Sequence, residues 1–369
     1  MVVVSPGRLG EMADGSVELG PKTVSGLLEY SRHWPGEVVF VAQRRPDRDL
    51  QALSFDWPQR SALPIETHLV DDVAATVKAL SPRVTLAPAE PESRHLLGLS
   101  GATVVVADYP LRVRWENQTI ETKSKWRQAR VGLGLARRWA ALRPLLQQAQ
   151  GLQCNGPDTF NAYARYNPNP LKFYDSRITD DMLGLAEQQA THFEEPLTMG
   201  FSGRWIAPKG VLDAIAVCDV LQKSGKDVRL KVFGNGPLGD QVDARKSETI
   251  EVVGGLEFES QWVPAVMSGV DVFVLPHRQA DSSSTFVEAI GCGVPVIGYA
   301  NRYWKALRAE VGAGWTTEMS PGAIADRIAS LTPEQLQEAR RAGLEWMKGH
   351  TFEAEFARRT AHLREIASL

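Results

Sequence analysis

Gly200-Phe201-Ser202-Gly203-Arg204, followed by Pro208-Lys209-Gly210, is a set of residue types suited to holding an anion. A strand that ends in a glycine turn and feeds a helix start presents amide donors, and neighbouring cations add charge. Arg204 and Lys209 in that setting can neutralise a diphosphate that becomes more charged as it leaves. The plainer reading makes Gly203 a turn residue and both cations solvated surface groups. A second glycine turn, Gly234-Asn235-Gly236-Pro237, ends the apolar run Leu230 to Phe233, again where ligands of open α/β sheets bind. Neither this turn nor the N-terminal strand has the G-x-G-x-x-G spacing, so a nicotinamide or flavin cofactor is not indicated.

The run Val270 to Pro276 leads into His277-Arg278-Gln279-Ala280-Asp281-Ser282-Ser283-Ser284-Thr285 and then a helical pattern containing Glu288. Ser283, Ser284 and Thr285 at a helix start offer hydroxyls and exposed amides that suit phosphate, although ordinary capping explains any one of them. Glu288 lies in Phe286-Val287-Glu288-Ala289-Ile290, an otherwise apolar stretch. A carboxylate buried there requires a partner, either ribose hydroxyls or a cation. Gly291 to Ile297 then reads as a helix stop followed by a buried strand.

These segments need a frame. Short valine-rich runs at Val2 to Val4, Glu37 to Ala42, Ala102 to Ala107, Val228 to Phe233, Ile250 to Val253, Val270 to Leu275 and Val294 to Gly298 are apolar on both faces, and a further strand is read at Leu197 to Phe201. That pattern belongs to buried parallel strands. Helical spacing fills the intervals Lys22 to Trp34, Asp71 to Leu80, Lys209 to Lys223, Val263 to Ser268 and Ser284 to Gly291. The alternation predicts doubly wound α/β sheets. With 369 residues and 43% apolar content, two domains are expected. The polar stretch Met182 to Glu195 suggests domains over 1–193 and 194–350, with 351–369 a C-terminal helix able to cross back to the first.

Composition narrows the function. A net charge of −3, from 41 basic and 44 acidic residues, argues against a nucleic-acid partner. Cys154, Cys218 and Cys292 are scattered, which points to buried thiols in a reducing compartment and to no zinc site. No signal peptide and no apolar run of spanning length are read, so a cytoplasmic protein is expected, touching a membrane only from its surface. Glu121 to Gln150 carries Lys123, Lys125, Arg127, Arg130, Arg137, Arg138 and Arg143 against one acid, with Trp126 and Trp139. A basic helix of this kind suits anionic lipid, a phosphorylated acceptor or a solvated packing face, and Gly132 and Gly134 are expected to interrupt it.

Taken in order, Ser202-Gly203-Arg204, Lys209-Gly210, Gly234-x-Gly236-Pro237, the Val270 to Pro276 strand and Glu288-Ala289 to Pro295-Val296 resemble the C-terminal domain of retaining GT-B glycosyltransferases of the family 4 type. The resemblance covers roughly residues 197–315. It implies a GT-B fold, two Rossmann-like domains facing a central cleft, and a nucleoside diphosphate sugar, UDP-, GDP- or ADP-linked, as donor and co-substrate. By it, Arg204 and Lys209 grip the diphosphate, Glu288 holds the ribose, and Ser282 to Thr285 cradle phosphate and sugar. Metal and cofactor are not called for. The pattern departs at Ala280, where a second glutamate is usual; Asp281 beside it either replaces that acid or caps the following helix. The resemblance also predicts a donor-facing loop in Gly15 to Lys22, through Gly20 and Lys22. The histidine usual after a central N-domain strand is absent, which leaves Asp108 either as a polar contact near the reacting carbon or as a turn residue.

The implied activity is sugar transfer with retention to a glycan, lipid or small molecule. The alternatives are another GT-B sugar-nucleotide enzyme such as an epimerase, or a catalytically silent sugar-nucleotide-binding module.

Overall fold

The computed structural model describes residues 1–45, 58–120, 122, 124–189, 193 and 196–368. Glu121, Lys123, Glu194 and Glu195, which entered the reading of the basic segment and of the domain boundary, lie outside them. The chain forms two compact units, Met1–Leu111, Ser124–Phe173 and Glu355–Leu369 in the first, Arg112–Lys123 and Tyr174–Ala354 in the second. The main stretch of the second unit therefore begins at Tyr174, ahead of the polar stretch that composition singled out. The physical reason is packing: Ile178 and Leu183 are buried in the same core cluster as Phe286 and Ile290.

Among the described residues, seven strands make the first sheet: β1 (Val2–Leu9), β2 (Val39–Arg44), β3 (Glu66–Val70), β4 (Val84–Pro88), β5 (Ala102–Ala107), β6 (Gly151–Asn155) and β7 (Pro170–Phe173). Their order is β3-β2-β1-β4-β5-β6-β7, with parallel pairings throughout. Apolar periodicity foretells β1, β2 and β5. It misses β3 and β4, whose threonines, histidine and alanine dilute the pattern. Helix Pro21–His33 opens with Gly20 as its N-cap and proline in its first turn. At Gly26 an added Cβ would lie 2.9 Å from a ring carbon of Phe356, so this helix runs tightly against the C-terminal helix Phe352–Ile366.

The basic segment folds as one helix, Lys125–Gln148, through Gly132 and Gly134. The expected interruption is thus corrected: each glycine costs a helix about 1 kcal/mol, and Leu142, Leu145 and Leu146, all buried, anchor this one.

The second sheet comprises β8 (Leu197–Ser202), β9 (Val228–Phe233), β10 (Ile250–Gly254), β11 (Val272–Leu275), β12 (Val296–Tyr299) and β13 (Trp315–Thr317). Its order is β10-β9-β8-β11-β12-β13, again parallel. Strand β11 shows why such strands read as continuous apolar runs: Val272 and Val274 belong to one core cluster, Phe273 and Leu275 to the other. Each fully buried side chain of this kind contributes roughly 1.5–3 kcal/mol. The chain reverses its winding between β8 and β11, and crevices of open α/β sheets form beyond the carboxyl ends of strands at such a point.

Candidate functional site

The loops after β8 and β11 leave the second sheet side by side. Arg278 N donates to Pro208 O over 2.9 Å, and Gly210, at φ 72°, would place a Cβ 2.4 Å from Pro276 O. Glycine is required there by both conformation and space. That contact fixes the short turn Ala207–Lys209, which precedes the helix Val211–Lys223 and carries Lys209 inward.

Lys209 is buried, and its Nζ donates to Asp281 Oδ2 at 2.7 Å. Burial pushes the ammonium below the usual lysine value, Asp281 opposes this, and the nearby Arg204 adds to it. Arg204 is exposed. The site thus has one solvated cation and one enclosed cation a short way apart.

The glycines of the neighbouring turns serve the protein's own backbone. At Gly234, φ 109°, a Cβ would come 2.0 Å from Gly203 O, and at Gly236 one would meet Trp205 N at 2.8 Å. Trp205 is held from both sides: its N donates to Asn235 O at 2.8 Å, and its Nε1 to Phe233 O at 3.2 Å. The turns after β8 and β9 are therefore locked to each other, which fixes the backbone on either side of Arg204.

Ser283 is the N-cap of the helix Ser284–Gly291, yet its side chain makes no capping bond; its Oγ lies 3.5 Å from Thr285 Oγ1. Asp281 does not cap this helix either: Oδ2 is on Lys209, and Oδ1 is buried without a hydrogen-bond partner among the described residues. The amide end of the helix and its dipole favour an anion. Within the helix Glu288 is 2% exposed, and its partner is a cation, Arg177, whose Nε reaches Oε1 at 2.9 Å. Arg177 in turn lies with its guanidinium 3.6 Å from the centre of the Phe258 ring.

Comparison with known proteins bears on the second unit first. Residues 196–333 fit the family model described as glycosyl transferases group 1. This segment is similar to that family over a little more than a third of the chain. A curated relative, 2-deoxystreptamine glucosyltransferase of Streptomyces kanamyceticus, is 28% identical over 158 residues, and the match spans only 40% of this chain and 40% of that one. Among solved structures, sucrose-phosphate synthase of Thermosynechococcus elongatus aligns at TM-score 0.65 and 14% identity, covering 100% of this chain and 98% of that one. HepE of Anabaena, solved with UDP and glucose, aligns at TM-score 0.59 and 15% identity over 100% of both chains. These likenesses show the fold, which is that of the GT-B glycosyltransferases.

Within the second unit lie Gly203, Arg204, Lys209, Gly234, Gly236, Asp281, Ser283, Ser284, Thr285 and Glu288. Asp108, Gly20 and Lys22 belong to the first unit. There Asp108 is exposed just after β5, where Thr159 Oγ1 donates to its carbonyl.

Three residues of the second unit escaped the sequence reading. Arg177 was assigned no role, because its contact with Glu288 joins segments far apart in sequence. His277 is fully buried in the second unit, has neither ring nitrogen hydrogen-bonded among the described residues, and meets the Phe286 ring edge-on at 4.9 Å. Burial, with the Lys209 charge as a lesser cause, holds its pKa well below the usual histidine value, so the imidazole is neutral. Glu116 pairs with Arg302 and accepts from the Ala280 amide at 3.4 Å. Where an acid was expected at 280, the structure therefore has a buried methyl and an anchored backbone.

Proposed function

We propose that the protein is a retaining glycosyltransferase that moves a sugar from a nucleoside diphosphate sugar to an acceptor. The observation that carries this is the enclosed ammonium of Lys209 beside Arg204, at the strand reversal between β8 and β11 and within a group 1 domain. The bound UDP and glucose of the structurally similar HepE are in keeping with such a donor.

In this reading the bond from the anomeric carbon to the diphosphate oxygen breaks, and a bond to the acceptor oxygen forms on the same face. The acceptor proton passes to the departing phosphate oxygen. Arg204, Lys209 and the amides at the start of helix Ser284–Gly291 stabilise the developing charge, so no metal is needed. Glu288, oriented by Arg177, holds the ribose. Peripheral contact with anionic lipid through the helix Lys125–Gln148 is part of the same proposal.

The test is a thermal-shift panel of UDP, GDP and ADP with their sugars. A ligand of the folded state present at a hundred times its Kd stabilises by about 2.7 kcal/mol. One nucleotide class is expected to do so, and Lys209→Ala and Glu288→Ala to abolish both the shift and donor turnover. If none of the panel shifts the melting temperature, the reading is wrong. Nucleotide release without an acceptor, yielding an altered sugar, would instead favour an epimerase.

A further inference from the structure

Lys209 sits where its charge is costly. It is almost wholly buried, the turn that carries it is pinned by Gly210 against Pro276, and Arg204 stands close enough to repel it. A lone ammonium under those conditions sheds its proton readily or withdraws toward water. What opposes this is Asp281, whose Oδ2 accepts from Nζ at 2.7 Å. Its other oxygen has no hydrogen-bond partner among the described residues, and its side chain does not cap the following helix, so the contact with Lys209 is what holds this carboxylate in place.

We propose that Asp281 is a positioning residue that acts on the donor through Lys209, keeping the enclosed ammonium charged and aimed for the diphosphate instead of selecting the sugar. This rests on the glycosyltransferase reading of the site. It gives the acid next to Ala280 a different task from the glutamate it was expected to replace. A shorter side chain, displaced by one residue, reaches the lysine rather than standing in for the missing acid.

The charged and titratable groups facing Lys209 are Asp281 and His277 from the loop after β11 and Arg204 from the loop after β8. His277 is held neutral by its burial, so an alkaline loss of diphosphate binding that Asp281 controls belongs to Lys209.

The experiment is calorimetric titration of free UDP, GDP and ADP, nucleotides without a sugar, from pH 6.5 to 9.5. For the nucleotide that the unaltered protein binds, Asp281→Asn is expected to move the alkaline fall in affinity at least one pH unit lower, and Asp281→Glu to restore much of it. Lys209→Arg, which stays charged throughout, is expected to remove the fall and serves as the second variant should Asp281→Asn fold poorly. If Asp281→Asn binds the free nucleotide with an unchanged pH profile and loses affinity only for the nucleotide sugar, Asp281 reads the sugar and the proposal is overturned. A fall that persists in Lys209→Arg overturns it as well. If the unaltered protein binds none of the three, the glycosyltransferase reading itself fails, a separate result.

Discussion

At the scale of single residues, the second unit places three ionisable groups where water does not reach, and solves each differently. Glu288 is given a cation, Lys209 a carboxylate, and His277 nothing. The last has a consequence for stability. Unfolded, His277 takes up a proton below about pH 6.5; folded, with its pKa pushed well down by burial, it does not. Unfolding in that range binds a proton that the native state refuses, so stability falls as pH drops below about 6.5 and is unaffected above it. His277→Phe removes this term. Urea denaturation at pH 7.5 and 5.5 is expected to show the substituted protein losing less stability on acidification, by up to about 1.4 kcal/mol per pH unit below 6.5. Equal losses in the two proteins would mean that His277 protonates in the native state.

At the scale of elements, the helix Lys125–Gln148 divides into two halves of different character. Its C-terminal half is anchored: Arg138 pairs with Glu90, Trp139 stacks on Tyr163 at 5.9 Å, and Leu145 and Leu146 are buried. The N-terminal half exposes Lys125, Trp126, Arg127, Arg130 and Leu133, with Trp126 at 83% exposure. The helix contains no acid. Cations around an exposed tryptophan suit the interface of an anionic bilayer. Co-sedimentation with vesicles rich in phosphatidylglycerol is expected to retain the protein at low salt, and Trp126→Ala with Arg130→Ala to release it at least tenfold. Equal binding to neutral phosphatidylcholine vesicles, or none to either, would make this half a solvated face. The two tryptophans of the segment looked equivalent in sequence. They are not, because Trp126 stands in solvent while Trp139 packs on Tyr163 and Tyr166.

At the scale of the whole molecule, the last helix shows how remote segments complete a unit. Its residues from Glu355 onward belong to the first unit, where Phe356 meets Tyr30 edge-on at 4.8 Å, Arg359 Nε donates to Gln153 Oε1 at 2.9 Å, and Leu363 is fully buried. Deleting residues 355–369 removes two large apolar side chains worth roughly 1.5–3 kcal/mol each. A fall in melting temperature on the order of 10 °C is expected in calorimetry; an unchanged transition would show that the helix adds nothing to its unit. Sequence by itself determined the α/β class, the parallel strands and the glycine turns of the candidate site, since buried parallel strands leave unbroken valine runs and glycine turns leave their spacing. It also required a partner for Glu288, because a carboxylate in an apolar helix is costly wherever it folds. Only the tertiary structure decided which cation answered, Arg177 to Glu288 and Lys209 to Asp281, and that the glycines at 203, 234 and 236 fit one another. Such contacts join residues far apart in the chain, and side-chain pairing across a sheet has no local periodicity to betray it.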